Sequence, residues 1–548
     1  MVAILSLVLS SFVAVVLSDC LPPPIVLGVG NVTLSNGKIA RGAGLSLGQP
    51  SQTLAFLPNG HGDMTVVWPH GNGMCDESMD SDSKTYSDSG CATFRGGLYD
   101  TKSSSTSRTL APNSYSAGSI DPNRLDIVAD RIALNSDTTL EDFSLGVAND
   151  PGSKQAYEAM NQLGLGPNST LLNRLVSSNK IASRSWGFWW GRGYGMSQPM
   201  DGSLVLGGYD KARVRGAPMA FELTPQPDCP SGAILDLVDM KLKSQSGATS
   251  SLIPSGKSQS ICLWPDLPTA MAMSYNPYYS NWSLSDPSVP NANSRTTGIY
   301  FWNQQYSSDT STTWKGQLEL AFSNGFTVAL SSDTLVATNT YLDKSTGDIL
   351  ANTTSPKDFL IDSLQEVQKD VLMRLGYQFL ASAYMMINHD TNKLYLWQAD
   401  ATSDKPSQPV AVSSAGNDIT DLCAPKQSTS STTQPGSPRG TESKSIPSTN
   451  TNGAVIGGAV GGVAGVIILA AATILLYRRK RSASLSSVGA SAAVPYPGDG
   501  DKVNYYSNPS APSELHSQQS MDVAHMNGYR PYQPAQQGTV FQQTHELA

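Results

Sequence analysis

No two cysteines in this 548-residue sequence stand at C-x-x-C spacing, and no Ser-His-Asp arrangement with supporting context can be assembled from it. Those absences argue against a thiolate metal centre and against a Ser-His-Asp hydrolase. Positive charge is also in short supply. Lys and Arg number 36 against 44 Asp and Glu, and the formal charge of −8 argues against nucleic acid as a partner. Nothing in the pattern calls for a metal or another cofactor.

Long apolar runs are few, and two of them matter. Ala3–Leu17 is too short to span a bilayer and is followed by small Ser18, so residues 1–18 read as a signal peptide even though no Lys or Arg precedes the run. Ala454–Tyr477 is uncharged and long enough for roughly 30 Å of hydrocarbon. Arg478-Arg479-Lys480-Arg481 follows it, which by the positive-inside rule puts the C-terminal side in the cytosol. The expectation is a single-pass type I protein of the plasma membrane with an extracellular N-terminal part. A lipid-anchor signal would end at its apolar tail, whereas residues 478–548 continue beyond this one. Gly457, Gly461 and Gly465 form a small-residue stripe through which two spans could dimerise; glycine simply tolerated in a span accounts for it equally well.

The six cysteines, Cys20, Cys75, Cys91, Cys229, Cys262 and Cys423, all precede the span. An even count in an oxidising compartment predicts three disulfides. Asn31, Asn168, Asn281 and Asn352 open N-x-S/T sequons and are glycosylation candidates. Residues 426–453 are Ser/Thr/Pro-rich and read as an extended stalk, and residues 478–548 as a disordered cytosolic tail.

Between about residues 21 and 412, short β-branched or aromatic runs alternate with Gly, Asn, Asp and Ser. Pro24–Leu27, Gly44–Leu47, Leu125–Val128, Ser203–Leu206, Phe326–Leu330 and Lys393–Trp397 are examples. The spacing predicts a large all-β fold. Two helices are expected within it: Ser169–Ser178, and Ser355–Leu375, where Phe359, Leu360, Leu364, Val367, Val371 and Leu372 recur every three to four residues. Trp186-Gly187-Phe188-Trp189-Trp190 reads as core packing rather than a sugar platform.

An internal echo suggests duplication. Phe56-Leu57-Pro58-Asn59-Gly60 is matched by Leu252-Ile253-Pro254-Ser255-Gly256. Each is followed more distantly by an apolar-Gly element, Leu163-Gly164-Leu165-Gly166 and Leu375-Gly376-Tyr377. With Gly44–Leu57, Leu163–Ser169, Gly202–Asp210 and Leu375–Ala399, this order resembles the pepsin-like aspartic peptidases, particularly the membrane-anchored fungal forms. The resemblance implies an all-β, bilobal fold with a few short helices, an N-terminal lobe over 19–215 and a C-terminal lobe over 216–425. It also implies the pairings Cys75–Cys91, Cys20–Cys423 and Cys229–Cys262, and a flap over the cleft with Tyr115 as its candidate tyrosine.

Hydrolysis in that family needs two carboxylates sharing a proton around one water, one acting as base and the other as acid. The resemblance places them at Pro58 and Pro254, and proline cannot ionise. Asp88-Ser89-Gly90 matches the Asp-Ser-Gly triplet but is not preceded by an apolar strand. His61, Asp63 and His70 lie in one turn-rich segment, define no coordination geometry, and read as solvated turn residues. The expected function is therefore a catalytically inactive homologue whose cleft holds an extended peptide or cell-wall component. An active endopeptidase with a displaced dyad is the first alternative, and a structural or signalling receptor the second.

Overall fold

Ile25, Leu27 and Val29 are buried while the residues between them are more exposed, the period-two pattern of a half-buried strand. The same logic builds most of the molecule. The computed structural model describes residues 20–71, 86–111, 124–149, 160–292, 294, 299, 303–308, 312–354, 356–365, 371–402 and 405–423. Cys75, Tyr115, the stalk, the expected span with Gly457, Gly461 and Gly465, and the tail lie outside these residues. Among the described residues no helix is long and apolar enough to cross a membrane.

The first half contains β1 (Ile25–Thr33), β2 (Ile39–Leu47), β3 (Gln52–Asn59), β4 (Val66–Val67) and helix α1 (Asp88–Arg95). Strands β5 (Arg108–Thr109), β6 (Leu125–Ala133), β7 (Thr139–Ala148) and β8 (Asn161–Gly164) follow. Helix α2 (Thr170–Ser177), β9 (Ser185–Arg192), β10 (Met200–Leu206) and β11 (Gly208–Asp210) complete it. Ser169 caps α2 by accepting from the Leu172 amide, and Leu171, Leu172 and Leu175 form its buried face, as the sequence pattern predicts.

The second half opens with β12 (Val214–Glu222), β13 (Ile234–Ser244), β14 (Thr249–Ser251), β15 (Gln259–Leu263) and β16 (Met271–Ser274). It continues with α3 (Ser280–Ser285), β17 (Gln304–Gln305), β18 (Gly316–Phe322), β19 (Thr327–Ser331) and α4 (Ser332–Leu335). Then come β20 (Val336–Ala337), β21 (Thr340–Leu342), β22 (Ile349–Ala351), β23 (Asp358–Phe359), β24 (Ile361–Leu364) and β25 (Met373–Leu375). The last strands are β26 (Ala383–Asn388), β27 (Lys393–Ala399), β28 (Pro409–Val412) and β29 (Asp418–Ile419).

One 13-stranded sheet runs β12-β27-β26-β9-β10-β1-β2-β3-β8-β4-β7-β6-β5, with an extra β2–β6 pairing that curls the first half upon itself. An eight-stranded sheet, β19-β18-β13-β15-β25-β16-β24 with β14 beside β13, forms the second half. The last described strands return to the first half, since β26 pairs β9 and β28 pairs β11. Cys20–Cys423 joins the two ends of the described chain, and Cys229–Cys262 lies in the second half. Cys91 is also disulfide-bonded, and its expected partner Cys75 is not among the described residues. One continuous apolar cluster reaches from Ile25 to Leu396, so both halves share a core. Trp186, Trp189 and Trp190 are buried, Trp186 and Trp190 in that shared core and Trp189 in a smaller satellite cluster.

Among the described residues the expected helix Ser355–Leu375 does not form. Its described residues make β23, β24 and β25 instead. All four residues of β24, Ile361-Asp362-Ser363-Leu364, are buried. A strand covered on both faces loses its alternation, and widely spaced apolar residues then imitate a helical period.

Candidate functional site

Each half contains the same crossing. In the first, β8 is inserted between β3 and β4, parallel to β3 and antiparallel to β4. In the second, β25 is inserted between β15 and β16 in the same two senses. The chain therefore leaves one strand, loops, and re-enters on the far side of the inserted strand. Gly164 and Gly376 stand where the loops pass. A Cβ on Gly164 would overlap the Met64 backbone, and one on Gly376 the carbonyls of Leu267 and Thr269. Only glycine allows so close an approach.

Register identifies the two loops. Pro58 is buried within β3 opposite Leu163, and Asn59 ends the strand opposite Gly164. In the second half Leu263 lies opposite Leu375, and Trp264 donates its amide to the Leu375 carbonyl at 2.7 Å. The second loop is thus Trp264–Ala270, and the assignment to Pro254 is corrected. Pro254 is exposed in the turn between β14 and β15, where its carbonyl accepts from the Lys257 amide. Leu252 and Ile253 are buried anchors of that turn, which is why they match the apolar pair before Pro58.

The first loop is held by its own side chains. Asn59 Oδ1 accepts from the amides of His61 and Gly62, both at 2.8 Å, and its Nδ2 donates to Gln162. Asp63 Oδ1 accepts the Asn168 amide at 2.8 Å, and Oδ2 accepts from Asn168 Nδ2. The Thr170 amide bonds to the Asp63 carbonyl, so Asp63 fastens the loop to the start of α2.

His61 and Asp63 are not solvated turn residues. They are 2% and 7% exposed. The turn is buried because the second half covers it: the His61 ring lies 3.9 Å, centroid to centroid, from the Trp264 ring. Its Nδ1 accepts the Ser231 amide at 3.2 Å, which leaves the proton of the neutral ring on Nε2. Nε2 makes no hydrogen bond among the described residues. Burial, with the Arg374 charge second, lowers the imidazole pKa to about 3. His61 also lies beside Cys229 and Cys262, with nitrogen and both sulfurs within 4.8 Å of one another. The sulfurs are bonded to each other and offer no thiolate to a metal.

Asp266 is the carboxylate of the second loop and is 2% exposed. Its charge helps push the hydroxyl of buried Tyr377 upward, after desolvation, the main cause. Tyr377 stacks on Trp190 at 4.1 Å, the Arg41 guanidinium lies over the same tryptophan, and that of Arg374 over Trp264. Gly60 faces Trp186 and Pro265, where a Cβ would sit 3.3 and 3.8 Å away. Where the loops approach, aromatic, imidazole and proline rings meet.

A second seam joins the halves at the β21–β22 hairpin. The Ser87 amide donates to the Lys344 carbonyl at 2.9 Å, Ser87 Oγ to Ser345 at 2.8 Å and Thr93 Oγ1 to Gly347 at 2.6 Å. A Cβ on Gly90 would overlap the Lys344 carbonyl, and Lys38 pairs with Asp348 at 2.9 Å. Asp88-Ser89-Gly90 is thus the first turn of a helix clamped by the other half.

The remaining candidates are dispersed. His70 is exposed, as is Asn31 on β1; Asn281 and Asn352 are half-buried. Sequence reasoning missed Asn59, Trp264 and Asp266. The available signal was the apolar run Ile261–Trp264 ended by Pro265-Asp266, which the more conspicuous echo at Leu252–Gly256 obscured.

No protein-family model and no curated protein sequence matches the chain. Among solved structures, the crystal structure of aspartic proteinase from Irpex lacteus is similar to it. The identity is 14%, the match covers 69% of this chain and 99% of that one, and the TM-score is 0.43.

Proposed function

We propose that the protein is a catalytically silent relative of the pepsin-like aspartic peptidases, carried on a cell surface by a single C-terminal span. The observation behind this reading is the contact between His61 and Trp264, one from each crossed loop. The strand-end residues are Asn59 and Trp264, neither of which ionises in the carboxylate range. Of the loop carboxylates, Asp63 is turned toward Asn168. A water between two acids would need the volume that the rings fill. In this reading the cleft serves as a binding groove for an extended peptide or wall polymer.

The test is incubation of the purified protein with an unfolded protein substrate between pH 3 and 6, with and without a statine-type inhibitor. The expected result is no inhibitor-sensitive cleavage. The displaced-dyad alternative draws support from Asp266, a buried carboxylate on the second loop. It requires statine-sensitive cleavage that disappears in Asp266→Asn, and that pair of results would replace the present reading. Surface placement is tested separately, by protease accessibility of the N-terminal part on intact cells.

A further inference from the structure

The second half has a concavity of about 800 Å³ to which none of the crossed-loop residues contributes. It is built by the β13–β14 turn, the segment after α3, residues near Tyr306 and Lys315, and Thr354, Pro356 and Lys357. Nine of its fourteen lining residues carry a hydroxyl, two are lysines, and Pro356 is its one wholly apolar side chain. Asp286 is already engaged, accepting from the Ser288 amide and hydroxyl. The walls therefore suit a ligand rich in hydroxyl and amide groups, and offer an apolar one little area.

Thr354 belongs both to this wall and to the sequon Asn352-Thr353-Thr354. The sequon is folded into an Asx turn: Asn352 Oδ1 accepts from the Thr354 amide at 3.1 Å and from its hydroxyl at 2.8 Å. The Asn352 amide donates to the Asn339 carbonyl, which fixes the backbone at that point. The side chain that would bear a glycan is thus hydrogen-bonded directly to the pocket rim.

We propose that the occupant of this pocket is the protein's own N-linked glycan, attached at Asn352, with its N-acetylhexosamine stem lying against the hydroxyl-lined wall. Energetics favour a tethered sugar over a free one. Each sugar–protein hydrogen bond replaces one to water and contributes little net, so a free saccharide held mainly by polar contacts binds weakly. A tether raises the effective concentration to roughly the millimolar range or above, where weak polar contacts suffice. Two of the other sequons lack this setting. Asn168 donates its side-chain amide to Asp63, and the sequon hydroxyl of Ser283 donates to the Tyr279 carbonyl.

The inference rests on the cell-surface reading, because glycan transfer needs a secretory route. The test is to produce the full chain in a glycosylating eukaryotic host and map occupancy at the four sequons by mass spectrometry. Amine acetylation of Lys315 and Lys357 is then measured with the glycan intact, after endoglycosidase trimming, and in Asn352→Gln, with Lys180 as the control. Asn352 should be occupied. Trimming should speed labelling of the two pocket lysines by roughly threefold or more, as expected of a cover present two-thirds of the time, and leave Lys180 unchanged. Asn352→Gln should match the trimmed protein, and trimming alone decides the question should that variant misfold. Unchanged labelling, an empty Asn352 beside other occupied sequons, or the same change produced by Asn281→Gln would overturn the proposal alone. Four empty sequons would overturn it together with the secretory reading.

Discussion

Replacing His61 with asparagine should reshape the acid stability of the whole fold. The His61 pKa falls from 6.5 to about 3, chiefly by burial. Unfolding exposes a ring that titrates near 6.5, so between those values the unfolded chain binds the extra proton. A depressed histidine pKa therefore gives stability that is intact above pH 6.5 and declines as the pH falls toward 3. The slope is about 1.4 kcal/mol per pH unit, and the loss between pH 7 and pH 4 is about 3 kcal/mol from this residue alone. In His61→Asn, an amide oxygen can still accept the Ser231 amide, but the ring contact with Trp264 is lost. At pH 7 the variant should be less stable by about 1–3 kcal/mol. At pH 4 the order should reverse, with the curves crossing near about pH 5. His389, lowered to about 4 mainly by burial, is common to both proteins and cancels from the difference. Urea unfolding followed by tryptophan fluorescence at pH 7, 6, 5 and 4 measures both curves. Parallel curves would mean that His61 is not a buried neutral ring, and the inter-lobe packing described here would fall with it.

Other perturbations probe the same architecture. Gly90→Ala gains up to about 1 kcal/mol of helix propensity but drives a methyl into the Lys344 carbonyl, so a net loss of about 1–2 kcal/mol is expected. Amide exchange over residues 340–351 should quicken at the same time, and an unchanged rate would show that α1 and the hairpin are not clamped. Asp63→Ala strips the Asn168 amide of its acceptor and should cost about 2 kcal/mol in urea unfolding; a neutral result would remove its tethering role. Replacing Cys229 and Cys262 together by serine opens a link across a sequence separation of 33 residues. The loop-entropy cost is about 3–4 kcal/mol, and a shift in urea midpoint much below that would indicate a residually ordered unfolded state.

The strands were legible because their cause is local. Ile25, Leu27 and Val29 alternate with more exposed neighbours, and Ser169 stands ahead of an apolar helical stripe. Both patterns are visible within ten residues. The region from Asp358 to Leu375 was misread for the opposite reason. Burial of β24 on both faces comes from strands and loops distant in sequence, and no window around Ile361 contains them. The same limit hid His61. A His between two glycines looks like turn chemistry until Trp264, Ser231 and the Cys229–Cys262 disulfide, some 170 to 200 residues away, close over it.

The Leu252–Gly256 echo failed in a more instructive way. What the crossed loop demands physically is an apolar strand, an inserted strand parallel to it, and a glycine where the chains pass. Gly164 and Gly376 meet that demand with no space for a Cβ, whereas Gly256 has open space around it and merely serves a positive φ. The informative glycines are therefore those of the inserted strands, and counting back from them in parallel register reaches Asn59 and Trp264 directly. None of these steric requirements asks for an acid at the strand end. The crossed-loop frame therefore stands on apolar strands and passing glycines, and at its loops His61 and Trp264 pack against each other across the two halves.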